Sequence, residues 1–241
     1  MANRPGSFEA LLTRSFSGRQ NPYRWLARAV SASAQLVLDI ACGAGAVSRE
    51  LHRPSRMVIG LDLSAEEIAL ASERSMGPWV QADGRQLPFP DQTFDAVTTS
   101  MGLAVIQPTV DLLSEVSRVL KPGGLFVALL PSMFTRDAGD LALAAQLSWQ
   151  LRSPLRLPGS LRPSPAGVWS AVGLTKVEDA REHYGYRIAS SRDAMRLLDA
   201  LELSEVPTAR VEQALRFLTE RVSDDGEIEF GIPLRRIVAV R

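Results

Sequence analysis

Apolar residues along this chain follow two alternating rhythms. Short apolar runs at 36–41, 57–61, 79–82, 94–99 and 125–130, with glycine, proline or an acid in or beside them, predict five strands buried in a sheet. Between them the apolar positions space out helically. One helix begins near Ala46 and is stopped by Pro54, and a second runs from about Ala65 to the Gly77-Pro78 break. A third carries Leu112, Leu113, Val116, Val119 and Leu120 and ends before Pro122. Strands alternating with helices in this way predict an α/β fold built on parallel pairing.

The flanks are less regular. Residues 8–30 mix leucine, aromatics and arginine at loosely helical spacing. Pro22 divides them into two short helices, with Trp25, Leu26 and Val30 on a face that could cover the sheet or a ligand. Downstream, 141–151 reads as an apolar, partly amphipathic helix. Pro154, Pro158, Pro163 and Pro165 then break the chain into turns with Leu155, Leu157 and Leu161 between them. Ser164 and Pro165 open a short helix that Gly173 ends. LTKVEDAREHYGYRIAS predicts a sixth strand and an extended segment, followed by helices at 193–203 and 208–222, a turn at 224–226, and a seventh strand in IPLRRIVAVR.

Composition narrows the functional classes. A length of 241 residues suits one domain, and the 27 basic and 27 acidic residues cancel, so no global field draws in nucleic acid or an anionic membrane surface. Cys42 is the single cysteine, which excludes intramolecular disulfides and thiolate metal clusters and fits a reducing cytoplasm. Charges interrupt every apolar run near the N-terminus, and no stretch is long enough to span a membrane.

Chemistry concentrates in LVLDIACGAG, residues 36–45. A buried strand breaks there into a turn with no side chain larger than cysteine. Gly43 and Gly45 can take positive φ, and the unsatisfied N–H groups of the following helix favour an anionic ligand group. Asp62 closes the next strand nineteen residues beyond Gly43, where a carboxylate can accept the two hydroxyls of an adenosine ribose. Ser64 and Glu67 supply a capping box for the next helix, which leaves Asp62 free for that work. Asp39, Asp62, Asp83 and Ser100 thus lie at or near the ends of four successive strands. A nicotinamide-dependent reductase fits less well, because Ser48 stands at the third glycine position and Asp39 puts an acid in the turn region.

LVLDIACGAG, GLDLS, ADGRQLPFPDQTFDAV and RVLKPGGLF, in this order and spacing, closely resemble the class I S-adenosylmethionine-dependent methyltransferases. Within them the nearest branch is the small-molecule type of ubiquinone and menaquinone biosynthesis. The match runs over roughly 35–130. The resemblance implies a Rossmann-like, seven-stranded, mostly parallel sheet with helices on both faces, the last strand inserted antiparallel between the fifth and sixth, and a small helical lid after the fifth. The single domain would divide into N-terminal helices (1–34), a cofactor-binding core (35–131), the lid insertion (132–165) and the C-terminal half of the sheet (166–241).

Carried over by residue, the resemblance implies that Asp39 and the backbone of Ala41, Gly43, Ala44 and Gly45 hold the methionine part of S-adenosylmethionine. Asp62 would hold the ribose, Asp83 and the Gly84 backbone the adenine edge, with Leu63 and Met101 packing on the adenine and near the sulfur and Ser100 near the sulfonium. Many relatives carry a hydroxyl residue where Ala44 stands, so a side-chain contact is lost there. The implied activity is methyl transfer to a small, lipophilic organic acceptor held by the lid, by a monomer or homodimer, with no metal and no nucleic-acid partner. An NPPY-like sequence of amine-directed relatives is missing at Ser100. A rival is a cofactor-binding regulatory or partner protein that transfers no methyl group. His183 and His52 are the only histidines; neither is assigned as a base, because in-line displacement at a sulfonium chiefly needs alignment.

Overall fold

The computed structural model of the chain describes residues 5–132, 138–157 and 167–241. Its elements run α1 (Ser7–Thr13), β1 (Ser15–Phe16), α2 (Pro22–Ala27), β2 (Leu36–Ile40), α3 (Ala46–Leu51), β3 (Met57–Asp62), α4 (Ala65–Arg74), β4 (Trp79–Gln81) and β5 (Phe94–Ser100). They continue through α5 (Gly102–Val105), α6 (Thr109–Val119), β6 (Leu120–Pro131), α7 (Ala138–Leu151), α8 (Val168–Ala171), β7 (Thr175–Ile188), α9 (Ser191–Ala200), α10 (Thr208–Asp225) and β8 (Ile228–Val240). The five core strands and their helices lie where the apolar rhythm puts them, except that the fifth strand begins at Leu120, taking in the residues read as a helix end and a turn.

One sheet holds all the strands in the order β1-β7-β8-β6-β5-β2-β3-β4. Pairings among β2 to β6 are parallel, whereas β8 lies antiparallel between β6 and β7 and β1 lies antiparallel on β7. The insertion of the last strand is as the resemblance implies. Two expectations need correction: there are eight strands rather than seven, and with three of seven pairings antiparallel the sheet is mixed rather than mostly parallel.

The eighth strand comes from the stretch read as helical. Ser15 and Phe16 pair with Tyr186 and Gly185, the buried Ser15 hydroxyl donates to the Leu11 carbonyl, and Gly18 turns back at φ 58°. Polar, glycine-containing residues end α1 early and cap the edge of β7, while Pro22 sits at the first position of α2 rather than inside a helix.

Successive residues of each central strand face opposite core layers. Val37 and Val127 pack with Leu26, Leu51, Leu147, Leu197 and Leu218 on one face, and Leu38 and Ala128 with Leu112, Val116 and Trp169 on the other. The 141–151 helix becomes α7, whose Leu143, Leu147 and Leu151 are buried in the first layer while Trp149 is 71% exposed. The expected helix from Ser164 is observed as α8, opened by Gly167 in a left-handed turn; Ser164, Pro165 and the lid residues 133–137 and 158–163 lie outside the described residues.

β2 is flanked by β3 on one side and β5 on the other, so the winding direction reverses between β2 and β5. A crevice opens at the carboxyl ends of two such strands, which is where open α/β sheets place their ligands.

Candidate cofactor site

Both strands at this reversal end in left-handed backbone. Ala41, Gly43 and Gly45 after β2 have φ of 53°, 52° and 84°, and Met101 after β5 has φ of 66°. The chain therefore folds sharply away from each strand tip. Gly45 has no alternative, since a Cβ there would stand 2.7 Å from the Trp79 ring. Thr99 on β5 donates to the Ile40 carbonyl at 2.7 Å, tying the two tips together.

Between them lies a cavity of about 280 Å³. Its floor is Ala41, Cys42, Gly43, Ala44, Ala46 and Val47; Asp62, Glu67, Ser100, Met101 and Val105 make its sides, and Gly6, Ser7, Phe8, Glu9 and Tyr23 close it from the N-terminus. Six of the residues expected from the sequence, Ala41, Gly43, Ala44, Asp62, Ser100 and Met101, line this one space.

The other five sit around it. Asp39 is fully buried beneath the turn, accepting from the Ser48 hydroxyl at 2.7 Å and the Thr98 hydroxyl at 3.0 Å. Burial pushes its carboxyl up to about 7, against the pull of the two hydroxyls. Gly45 starts α3. Leu63 is 66% exposed, and Gly84 is wedged against Ile40 and Ile106. Asp83 is held by Arg85 at 2.6 Å, which keeps its carboxyl below the usual range. None of the five is on the cavity wall.

Asp62 is not free, contrary to expectation. Its two oxygens accept the Gly43 amide at 2.8 Å and the Ser64 amide at 3.0 Å. The capping box is accordingly half formed. Ser64 caps the Glu67 amide at 3.2 Å, but Asp62 has taken the Ser64 amide, and the Glu67 carboxylate turns instead to the Gly6 amide at 2.9 Å. Each Asp62 oxygen keeps a lone pair for a ligand hydroxyl.

The charge around the turn also differs from the sequence reading. Helix N–H groups alone would favour an anion, but Asp62, Glu67 and Glu9 stand at the cavity, and Glu67 is raised above the usual carboxylate range by burial and by Asp62 and Glu9. Arg49 and Arg74 are both paired to Glu9, at 2.6 and 2.7 Å. Seven buried side-chain polar atoms lack a partner among the described residues, and four of them belong to Ser7, Glu9, Glu67 and Ser100 on this wall. Buried polar groups are normally satisfied, so the cavity suits a ligand rich in donors and positive charge. A pyrophosphate would meet carboxylates.

Residues 6–9, Tyr23, Glu67 and Val105 also line the wall, and the sequence did not single them out for the site. His52 is exposed at the end of α3. His183 is paired through Nε2 with Asp140 at 2.8 Å and is not on the cavity wall. Among the described residues no group of His, Cys, Asp and Glu could hold a metal ion, and no helix is long and apolar enough to cross a membrane.

Comparison with known proteins bears on the same segment. Residues 38–128 match the methyltransferase domain family. The demethylmenaquinone methyltransferase of Corynebacterium kroppenstedtii is 42% identical over 88 residues, covering 36% of this chain and 38% of that protein. The ubiquinone/menaquinone biosynthesis C-methyltransferase of Desulfotalea psychrophila is 39% identical over 115 residues, covering 44% and 47%. The chain thus spans less than half the length of these two relatives. Over that segment the resemblance read from the sequence stands.

The fold extends further. A candidate methyltransferase from Bacillus halodurans superposes with a TM-score of 0.61 at 21% identity, over 91% of this chain and 98% of that one. The [4+2]-cyclase SpnF gives 0.60 at 18% identity over 94% and 84%. One fold therefore serves more than one chemistry, and function has to be argued from the site.

Proposed function

We propose that this chain binds S-adenosylmethionine in the cavity at the strand reversal and transfers its methyl group to a small, lipophilic acceptor of quinone type. The observation that carries the reading is the acid-lined cavity itself, built on the segment that matches methyltransferases and holding four unpartnered polar groups. The acceptor class follows the names of the relatives, which are methyltransferases of demethylmenaquinone and of ubiquinone and menaquinone biosynthesis.

When bound, the cofactor supplies an electrophilic methyl group on a positively charged sulfur. The chain's task is to hold and align. The backbone of Ala41, Gly43, Ala44 and Gly45 receives the methionine part, above an Asp39 that acts through its charge and its hold on Ser48 and Thr98 rather than by contact. Asp62 accepts the ribose hydroxyls with its remaining lone pairs. Asp83, the Gly84 backbone and Leu63 lie beside the cavity rather than on its wall and are the residues that the adenine would reach where it extends past Asp62. Met101 and Ser100 flank the reacting sulfur, and the left-handed turn at Met101 keeps both there. Carboxylates around the cavity favour binding of a cationic cofactor by charge; exclusion of water and alignment of the acceptor supply the rate.

In this reading the chain is one domain, with 132–165 as the acceptor-side insertion, acting in the cytoplasm as a monomer or homodimer without a nucleic-acid partner. The balanced charge and the single cysteine support those assignments. Purified protein incubated with labelled S-adenosylmethionine and a demethylated menaquinone should yield labelled, extractable quinone. Cofactor binding without label in any quinone acceptor would overturn the acceptor class, and no binding would overturn the reading as a whole.

A further inference from the structure

The wall of the cavity built by residues 6–9 and Tyr23 belongs to none of the motifs. Gly6 passes so close to α4 that an added Cβ would lie 3.0 Å from Leu70 and 3.2 Å from Arg74. Two ties fix it there. The Gly6 amide donates to Glu67, and Glu9 accepts from Arg49 of α3 and Arg74 of α4. The N-terminal segment is thus a strap laid over the Gly43 turn.

Once those bonds are made, several polar groups remain unused. The second oxygens of Glu9 and Glu67 and the Ser7 hydroxyl are buried without partners. Tyr23, 5% exposed, lines the same cavity. The free oxygen of Glu67 stands 3.7 Å from where a Cβ on Gly43 would be, so it is aimed at the turn. Glu9 is neutralised by two guanidinium groups; Glu67 has no ion pair among the described residues. Two buried carboxylates that share a cavity with Asp62 repel one another, and a compact cation with several N–H donors relieves both the repulsion and the unmade bonds.

We propose that Glu67, with Glu9 and Ser7 on the strap, forms a clamp for the ammonium group at the amino-acid end of the ligand, so that the strap closes on adenosyl amino acids and not on nucleosides that lack that end. The proposal rests on the cofactor reading above and adds the residues that select the ligand. An ammonium carries three donors, which matches two carboxylate oxygens and one hydroxyl. The clamp's charge balance then closes with the ligand's own cation. Motif residues alone would bind the nucleoside and the amino acid through separate contacts, with no element that senses whether both are present.

The test uses the full chain and three probes: S-adenosylmethionine, S-adenosylhomocysteine and methylthioadenosine, the last having the nucleoside and sulfur without the amino acid. Glu67→Gln keeps an oxygen for the Gly6 amide and removes the charge. Calorimetry should show affinity for the first two falling by at least about tenfold, with methylthioadenosine changed by no more than about twofold. Arg74→Ala, which removes one of the two ties of Glu9 and so loosens the strap, should likewise weaken the first two probes more than methylthioadenosine. Equal losses on all three in Glu67→Gln, or no loss on any, would overturn the clamp while leaving the cofactor reading in place. A wild-type chain that binds none of the probes would overturn both.

Discussion

The floor and the wall of the cavity were made by different rules. The floor is local in origin, because the backbone turn from Ala41 to Val47 directly follows one strand tip, although Asp62, Trp79 and Thr99 hold that turn from further along the chain. The wall is long-range. Gly6 meets Glu67 across 61 positions and Glu9 meets Arg49 and Arg74 across 40 and 65. A turn that holds a ligand by its backbone can be written as a motif, whereas side chains that select the ligand's charge are brought together only by folding.

Breaking the layer beneath the wall should have the largest effect. Leu147 on α7 is fully buried in the layer shared with Leu26 and Leu218, so Leu147→Ala should cost about 2 to 5 kcal/mol of stability in a denaturant titration. The lid reading expects the same substitution to act on acceptor turnover alone. The structure makes it a core residue, and any loss of turnover should scale with the loss of fold.

Breaking the floor comes next. Gly45→Ala puts a Cβ against the Trp79 ring at a φ of 84°, which should cost roughly 2 to 3 kcal/mol and weaken cofactor affinity at least tenfold, read by melting and calorimetry. Asp62→Ala should also destabilise the folded state, because the Gly43 and Ser64 amides lose their acceptor. A fall of about 1 to 3 kcal/mol is expected together with the loss of affinity. Asp62→Asn, which keeps an acceptor oxygen, should restore part of the stability and less of the binding.

The elements that could be read in the sequence share one physical character. Val37 and Leu38, Ala96 and Val97, Val127 and Ala128 alternate between two apolar layers, so the positions of the core strands along the chain followed from local pattern. β1 did not, since two residues pair only because the β7 edge is there to receive them. Asp62 and Glu67 were legible as residues and misread as partners. A capping box and an Asp-backbone bond compete for the same Ser64 amide, and which wins depends on where Gly6 and Gly43 lie. Five expected contacts, Asp39, Gly45, Leu63, Asp83 and Gly84, sit off the cavity wall because strand-tip position fixes the end of the sheet but not the direction of a side chain.

Asp39 gives a pH-dependent way to separate floor from wall. Its folded carboxyl is raised to about 7 from 3.8, so the folded chain keeps a proton that the unfolded chain has released. Stability should therefore fall as pH rises from about 4 to 7, by an amount on the order of 2 to 4 kcal/mol, and Asp39→Asn should flatten that slope. Cofactor affinity should move the other way and rise through pH 7 as the charge beneath the turn forms. The smallest effect is expected at Trp149, 71% exposed. Trp149→Ala should change stability by no more than about 0.5 kcal/mol and leave cofactor affinity untouched; a fall in turnover alone would mark it as an acceptor contact.

Titration of the full chain with S-adenosylmethionine and, separately, with NAD tests the central claim most directly. The acid-lined cavity predicts saturable, one-to-one binding of S-adenosylmethionine and no heat from the dinucleotide, whose pyrophosphate would face Asp62, Glu67 and Glu9. Binding of NAD with none of S-adenosylmethionine would contradict the account.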